Sequence, residues 1–114
     1  MEIQIVESKI TKKDLEQLAK LNYGDMVKGV VDLKRKIAAL GGQLHADAEA
    51  VLLKRGSAQQ DLWGFNVYVN RDKNTRLEYT SFINIRPAHG NRAIEIQDPQ
   101  LRTKIREVVD HLIE

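Results

Sequence analysis

A two-residue alternation of apolar and polar side chains between residues 62 and 86 most constrains what this chain can fold into. The apolar positions recur in two runs, Trp63, Phe65, Val67 and Val69 and then Leu77, Tyr79, Ile83 and Ile85. This period predicts strands over 62–70 and 77–86, with residues 71–75 as a polar turn. Pro87 ends the second strand because it has no amide donor. Two strands joined by a short turn are antiparallel, and we expect an antiparallel sheet.

Helical spacing of apolar residues predicts three helices elsewhere in the chain. Thr11 and Asp14 begin a helix over residues 12–21 as a capping pair. Asp25 begins a second over 26–40, and Gly41 ends it with a positive φ. Asp98 and the following proline begin the third, over 98–113. Residues 2–6 and 93–96 are predicted to be short strands.

Residues 43–50 allow two interpretations. Leu44, Ala46, Ala48 and Ala50 alternate with polar residues, which is the period of a strand. Their composition favours a helix, since alanine and glutamate are strong helix formers. We favour the strand because the pattern continues through residues 51–53 to a turn at Gly56. The helix is the alternative.

The predicted order of elements indicates the fold class. It is β-α-α-β-β-β-(β)-α, in which several strands follow one another through short turns. We therefore predict a single α+β domain over residues 1–114, with a meander-like antiparallel sheet and three helices packed mainly on one face. The last helix belongs to the core, because its apolar stripe would otherwise lie exposed.

Composition excludes several classes of protein. The sequence has no cysteine, which excludes thiol catalysis and zinc-thiolate sites. The net charge of +2 does not indicate nucleic-acid binding. No apolar run is long enough to span a membrane, and the first residues do not resemble a signal peptide. We expect a cytoplasmic protein without a membrane partner, and the sequence indicates no particular cofactor.

One group of side chains has the chemistry of a metal site. His45, Asp47 and Glu49 occupy alternate positions, so a strand would place them on one face within reach of a divalent cation. A helix would bring only His45 and Glu49 together. Structural carboxylates on a solvent face are the alternative interpretation.

A second group has the chemistry of an anion site. Asn84 and Arg86 lie at the end of a predicted strand, and Asn91 and Arg92 follow in the next loop. Arginine forks and loop amides suit a phosphate or carboxylate. In the structural alternative, Arg86 pairs with Glu49, Asp47 or Glu78 on an adjacent strand.

Short segments spread along the chain together form a specific pattern. They are residues 26–28, 30–32, 41–42, 44–49, 56–57, 61–64, 83–87 and 90–92. In these segments the chain resembles an uncharacterised prokaryotic family of unknown function. The resemblance covers nearly the whole chain and implies no function for any residue. One departure is Val69, where the resemblance implies a proline.

Three hypotheses of function follow. The first is a noncatalytic module that binds an anionic ligand or an acidic protein partner through Arg86, Asn91 and Arg92. The second is a metal-dependent hydrolase that acts on a phosphate-containing substrate. The third is a structural homo-oligomer. We favour the first, because it does not require a complete catalytic set.

Overall fold

One five-stranded antiparallel sheet organises the protein. The computed structural model describes residues 2–114. The strands, in chain order, are β1 (Ile3–Val6), β2 (Met26–Asp32), β3 (Ile37–Gly41), β4 (Leu62–Tyr68) and β5 (Leu77–Glu78). The helices are α1 (Lys12–Lys20), α2 (His45–Lys54) and α3 (Pro99–Leu112). The strand order β1-β3-β2-β4-β5 and these helices confirm the predicted α+β class.

Helices cover both faces of the sheet. The register aligns Val31, Ala38 and Trp63 on one face, and these residues belong to the core cluster that includes residues of α1 and α3. The neighbouring positions Val30 and Ala39 point the other way and pack with α2. Two of the three helices therefore share one face, and α2 lies on the opposite one.

Residues 26–41 form the hairpin β2–β3, so the predicted second helix is wrong. Both strands lie in the middle of the sheet, and most of their residues are buried on both faces. A strand covered on both faces carries a nearly continuous apolar run, which also satisfies a helical spacing. The β-branched residues Val27, Val30 and Val31 favour the strand, and the interior Gly29 disfavours a helix.

The connection between β2 and β3 depends on Asp32. Its buried Oδ1 accepts hydrogen bonds from the main-chain N–H groups of Lys34 and Arg35, both at 2.9 Å. Its Oδ2 accepts the Ser57 hydroxyl at 2.7 Å. Lys36 completes the turn with a φ of 57°. A side chain that bonds its own downstream amides favours a turn, and the helix cannot continue here.

Residues 45–54 form the helix α2, so the favoured strand is wrong and its alternative is confirmed. Ala48 and Leu52, four residues apart, are buried against the sheet. Here helix propensity outweighs a short alternation whose apolar members are mostly alanine. The change moves His45, Asp47 and Glu49 from a strand to a helix.

The predicted strand over 77–86 is much shorter than expected. Only Leu77 and Glu78 pair with β4, and the chain then forms short 3-10 helices at Phe82–Asn84 and Pro87–His89. The predicted strand over 93–96 reduces to a single bridge between Thr80 and Glu95. Ser81 diverts the chain, because its Oγ accepts the Ile83 N–H at 3.2 Å.

The helices α1 and α3 and the strand β4 form close to the positions that the sequence predicts. Thr11 and Asp14 form the predicted capping box of α1, with both bonds at 3.0 Å. Hydrogen bonds from the Thr11 amide and the Thr11 hydroxyl to the carboxylate lower the pKa of Asp14, and the amide has the larger effect. Asp98 caps α3 by accepting the Gln100 N–H at 2.9 Å. Trp63 on β4 is buried in the core, as predicted.

Candidate binding site

Three exposed apolar side chains line two neighbouring hollows beside α2. Phe82 is 83% exposed, Leu44 is 56% exposed and Ile85 is 43% exposed. We call this surface the Phe82 face. A single exposed apolar residue is ordinary, whereas several of them around an exposed aromatic ring make this surface the candidate site.

Phe82 is held on a rigid segment. The buried Asn84 accepts the Gly64 N–H at 2.8 Å and donates to the Gly64 carbonyl at 2.9 Å. These two bonds satisfy the main chain of β4 where β5 has already ended. The exposed ring therefore projects from an anchored turn, and little conformational entropy is lost when a partner covers it.

Two hollows flank the Phe82 ring. Both are lined by Phe82 and Ile83. The larger has a volume of about 400 Å³ and is also lined by Glu49, Gln59, Gln60, Ile85, Arg86, Pro87, Ala88 and His89. The smaller has a volume of about 210 Å³ and is also lined by Lys28, Leu44, His45, Ala46 and Ser81.

Each of the three guanidinium nitrogens of Arg86 has an acceptor within the protein. Its Nε donates to the Ile83 carbonyl at 3.1 Å, and Nη1 donates to the Gln59 carbonyl at 2.8 Å. Its Nη2 lies 3.3 Å from Glu49 Oε2, which confirms the expected pairing with a carboxylate. Burial lowers the pKa of Arg86, and the Glu49 carboxylate counteracts part of that effect. Arg86 therefore stabilises one wall of the larger hollow.

The other residues of the predicted anion site have different surroundings. Asn91 donates to the carbonyls of Asn84, Ala93 and Glu95 and accepts the Gln97 N–H, so its side chain holds the loop together. Asn84 is bonded to β4 as described above. Arg92 is exposed. Ligand binding by Asn84, Arg86, Asn91 and Arg92 stays a prediction. The bonds of Asn84, Arg86 and Asn91 hold the segment that carries Phe82 and the loop that follows it.

His45 lies at the start of α2, between the smaller hollow and the sheet. Its Nε2 is 2.8 Å from the Phe65 carbonyl oxygen, so this nitrogen carries the proton and donates it. Burial lowers the pKa of His45, and the nearby Lys28 lowers it further. The Phe65 carbonyl and Glu78 act in the opposite direction. The net effect favours a neutral imidazole.

A row of polar side chains crosses three strands beneath His45. Lys28, Asn66 and Glu78 lie opposite one another on β2, β4 and β5. The Asn66 amide donates to Glu78 Oε1 at 2.7 Å, while its buried Oδ1 has no hydrogen-bond partner among the described residues. Within residues 2–114, Lys28 forms no ion pair with a carboxylate.

The structure separates the three residues of the predicted metal site. His45 bonds to the sheet, Glu49 pairs with Arg86, and Asp47 is exposed on another side of α2. The strand that the prediction required is absent here, and metal binding by these residues stays a prediction. In the described part of the chain, no three His, Asp or Glu side chains are grouped as a metal site would require.

Sequence reasoning missed Phe82 and Lys28 as site residues. The signal for Phe82 was present, since the alternation of residues 77–86 places this aromatic residue on the otherwise polar side of the predicted strand. Lys28 gave no signal, because it fell on the solvent side of a helix that does not form.

Among the described residues, no helix has the length and apolar character that crossing a membrane requires.

The chain is a small α+β domain that carries exposed apolar residues, with Phe82 at their centre, beside α2. The chain belongs to the family described as "Protein of unknown function (DUF5674)", whose model matches residues 4–112. This membership confirms the resemblance to a family of unknown function. Neither the curated proteins nor the solved structures contain a match to the chain.

Proposed function

We propose that this domain is a noncatalytic binding module that holds an acidic segment of a partner protein on the Phe82 face. The observation that carries the proposal is the 83% exposure of Phe82 on a turn anchored by Asn84. A buried anchor and an exposed aromatic tip form a preorganised contact. Such aromatic residues dominate the energy of many protein interfaces.

The charge around the smaller hollow supports an acidic partner. Lys28 lines this hollow without an ion pair among the described residues. Leu44 is the N-cap of α2 and provides no side-chain acceptor for the first amides of the helix. An uncapped helix N-terminus carries partial positive charge. A carboxylate beside an apolar residue would complement both Lys28 and Phe82.

Two alternatives remain from the sequence. A metal-dependent hydrolase would use His45, Asp47 and Glu49, and no contact of these residues favours it over binding. A structural homo-oligomer would use the same Phe82 face for a second copy. We also propose a cytoplasmic location for this single domain, on the basis of the cysteine-free sequence.

Selection of peptides from a random phage-displayed library tests the proposal. We expect the wild-type protein to enrich peptides that combine an acidic residue with an apolar one. Titration of a selected peptide should give a Kd at least tenfold weaker for Phe82→Ser, since an aromatic anchor contributes about 2 kcal/mol or more. Lys28→Gln should weaken binding less, with a smaller dependence on salt.

Leu21→Ser is the matched control, because Leu21 is also exposed and lies at the end of α1. It should leave peptide binding unchanged. Equal binding by the Phe82 variant and the wild type would exclude the Phe82 face as the site. A concentration-dependent dimer that Phe82→Ser abolishes would instead establish the homo-oligomer.

A further inference from the structure

A third hollow lies at the other face of the molecule, between the start of α1 and residues 68–76. Its volume is about 260 Å³. Leu15 and Val69 form its apolar wall, and Lys12, Arg71, Lys73 and Arg76 bring four cationic side chains to it. It shares no lining residue with the hollows beside Phe82.

Arg76 is the buried member of this group. It is only 5% exposed, although it carries a guanidinium. Nη1 donates to the main-chain oxygen of Glu114 at 2.8 Å, and Nη2 donates to Asp110 Oδ1 and to the Ile113 carbonyl, both at 3.0 Å. Its buried Nε has no acceptor among the described residues. A buried charged donor without an acceptor is costly unless a ligand completes its bonding.

The other cations of the hollow are also incompletely neutralised. Within residues 2–114, Lys12, Arg71 and Lys73 form no ion pair. The acidic side chains present are engaged in local structure. Asp72 accepts the Asn74 N–H at 2.9 Å, and Glu114 Oε1 accepts the Lys12 main-chain N–H at 3.1 Å.

The charge balance of the hollow indicates the charge of its ligand. Asp110 pairs with Arg76 and also contacts Arg106 at 3.5 Å, so these two residues are counted with the lining. The five cationic residues are Lys12, Arg71, Lys73, Arg76 and Arg106, and the three acidic ones are Asp72, Asp110 and Glu114. The cationic side chains outnumber the acidic ones, so the hollow favours an anionic ligand. A phosphate monoester carries about −1.5 to −2 at pH 7.

We propose that this hollow binds a small phosphate monoester. Arg76 and Arg71 would hold the phosphate oxygens, since guanidinium forks match phosphate geometry. Leu15 and Val69 would contact the organic part of the ligand. The hollow is smaller than the sites that hold drug-sized ligands, which limits the ligand to a compact molecule.

Titration of the ¹⁵N-labelled protein with O-phosphoserine at pH 7.5 and constant ionic strength tests this site, with serine as the ligand that lacks the phosphate. We expect saturable amide shifts at residues 12–15 and 68–76 with O-phosphoserine and none with serine. The variant Arg71→Gln/Lys73→Gln should bind at least tenfold more weakly. The control Lys34→Gln/Lys54→Gln removes the same charge from other exposed positions and should bind within about twofold of wild type.

Arg76→Lys distinguishes a bonded site from a general positive surface, because it keeps the charge and removes the guanidinium with its Nε, Nη1 and Nη2 donors. We expect weaker binding in a variant whose amide spectrum stays folded. An absence of saturation with O-phosphoserine would overturn the proposal. Equal weakening in the two double-glutamine variants would do the same, because it would show binding to net charge alone.

Discussion

At two positions in this protein, a single polar side chain makes hydrogen bonds that main-chain groups would otherwise make. Asn84 forms both hydrogen bonds that a β5 residue would have made with Gly64. Asp32 closes the β2–β3 turn with its own carboxylate. In both cases a short polar side chain takes the place of main-chain partners. Substitution at such a position leaves buried donors and acceptors unsatisfied, so its effect exceeds that of one lost hydrogen bond.

Gly41 shows a correct backbone prediction for an incorrect element. Its φ is 110°, which agrees with the predicted positive φ. However, Gly41 ends the strand β3 and not a helix. It lies opposite Ile3 on β1, and a Cβ at this position would collide with the main-chain oxygen of Glu2. Gly56 has a similar φ of 96° with open space around it.

We predict that Gly41→Ala destabilises the protein more than Gly56→Ala does. The positive φ alone costs about 1 kcal/mol for alanine, which is the effect expected at Gly56. The collision with β1 raises the cost at Gly41 to about 3 kcal/mol. Urea denaturation of both variants measures the difference. Equal losses would show that β1 moves away freely.

At the scale of secondary structure, the ion pair between Arg86 and Glu49 connects the Phe82 segment to α2. The side chains are 10% and 12% exposed, so both charges are largely removed from water. Arg86 also lies over the Trp63 ring, 4.8 Å from its centroid. Removal of one partner would leave an uncompensated buried charge, which is worse than removal of both.

We predict strong coupling between these two residues in a double-mutant cycle. Arg86→Met and Glu49→Met should each lower the free energy of unfolding by about 3 kcal/mol, and the double variant should lose about 2 kcal/mol less than their sum. Urea denaturation of the four proteins measures the coupling. The exposed pair Arg55 and Glu7, 3.6 Å apart, is the control and should couple by less than about 1 kcal/mol. Similar coupling in both pairs would contradict a structural role for Arg86.

At the scale of the whole molecule, α3 closes the larger core. Ile105, Val109 and Leu112 are almost completely buried beneath it, in contact with the cluster that contains residues of α1 and the sheet. The end of the chain after α3 also supplies acceptors for Arg76. The helix therefore contributes both apolar burial and the partners of a buried cation.

We predict that truncation after Gln97 abolishes cooperative folding. Each large core residue contributes about 2–5 kcal/mol, and the total stability of a domain is about 5–15 kcal/mol. The truncated protein should bind a hydrophobic dye and lose its near-ultraviolet circular dichroism. Lys104→Ala on the exposed side of α3 should leave the melting temperature nearly unchanged. A cooperative transition in the truncated protein would show that α3 is an accessory element.

The candidate site was predictable only in part. That Arg86 pairs with a carboxylate follows from the sequence, because a crowded arginine needs a partner. That the partner is Glu49 was decided by the structure, which brings it from the helix α2. The Phe82 face does not follow, since it depends on the turn that Ser81 and Asn84 impose after β5. The prediction at His45, Asp47 and Glu49 depended on a strand, and the helix places those side chains in different surroundings.

The sequence by itself determined α1, β4, α3 and the α+β class. The two helices each bury one face and carry its period in the sequence. The strand β4 is buried on both faces, but its large apolar residues alternate with Gly64 and Asn66, so the strand period is still visible. The tertiary structure decided the identity of β2, β3 and α2. The two central strands are buried on both faces, so no alternation marks them. Alanines alternate with polar residues in the first half of α2, so the sequence does not show which face of the helix is buried. That face is set by the sheet, on which Ala48 and Leu52 pack.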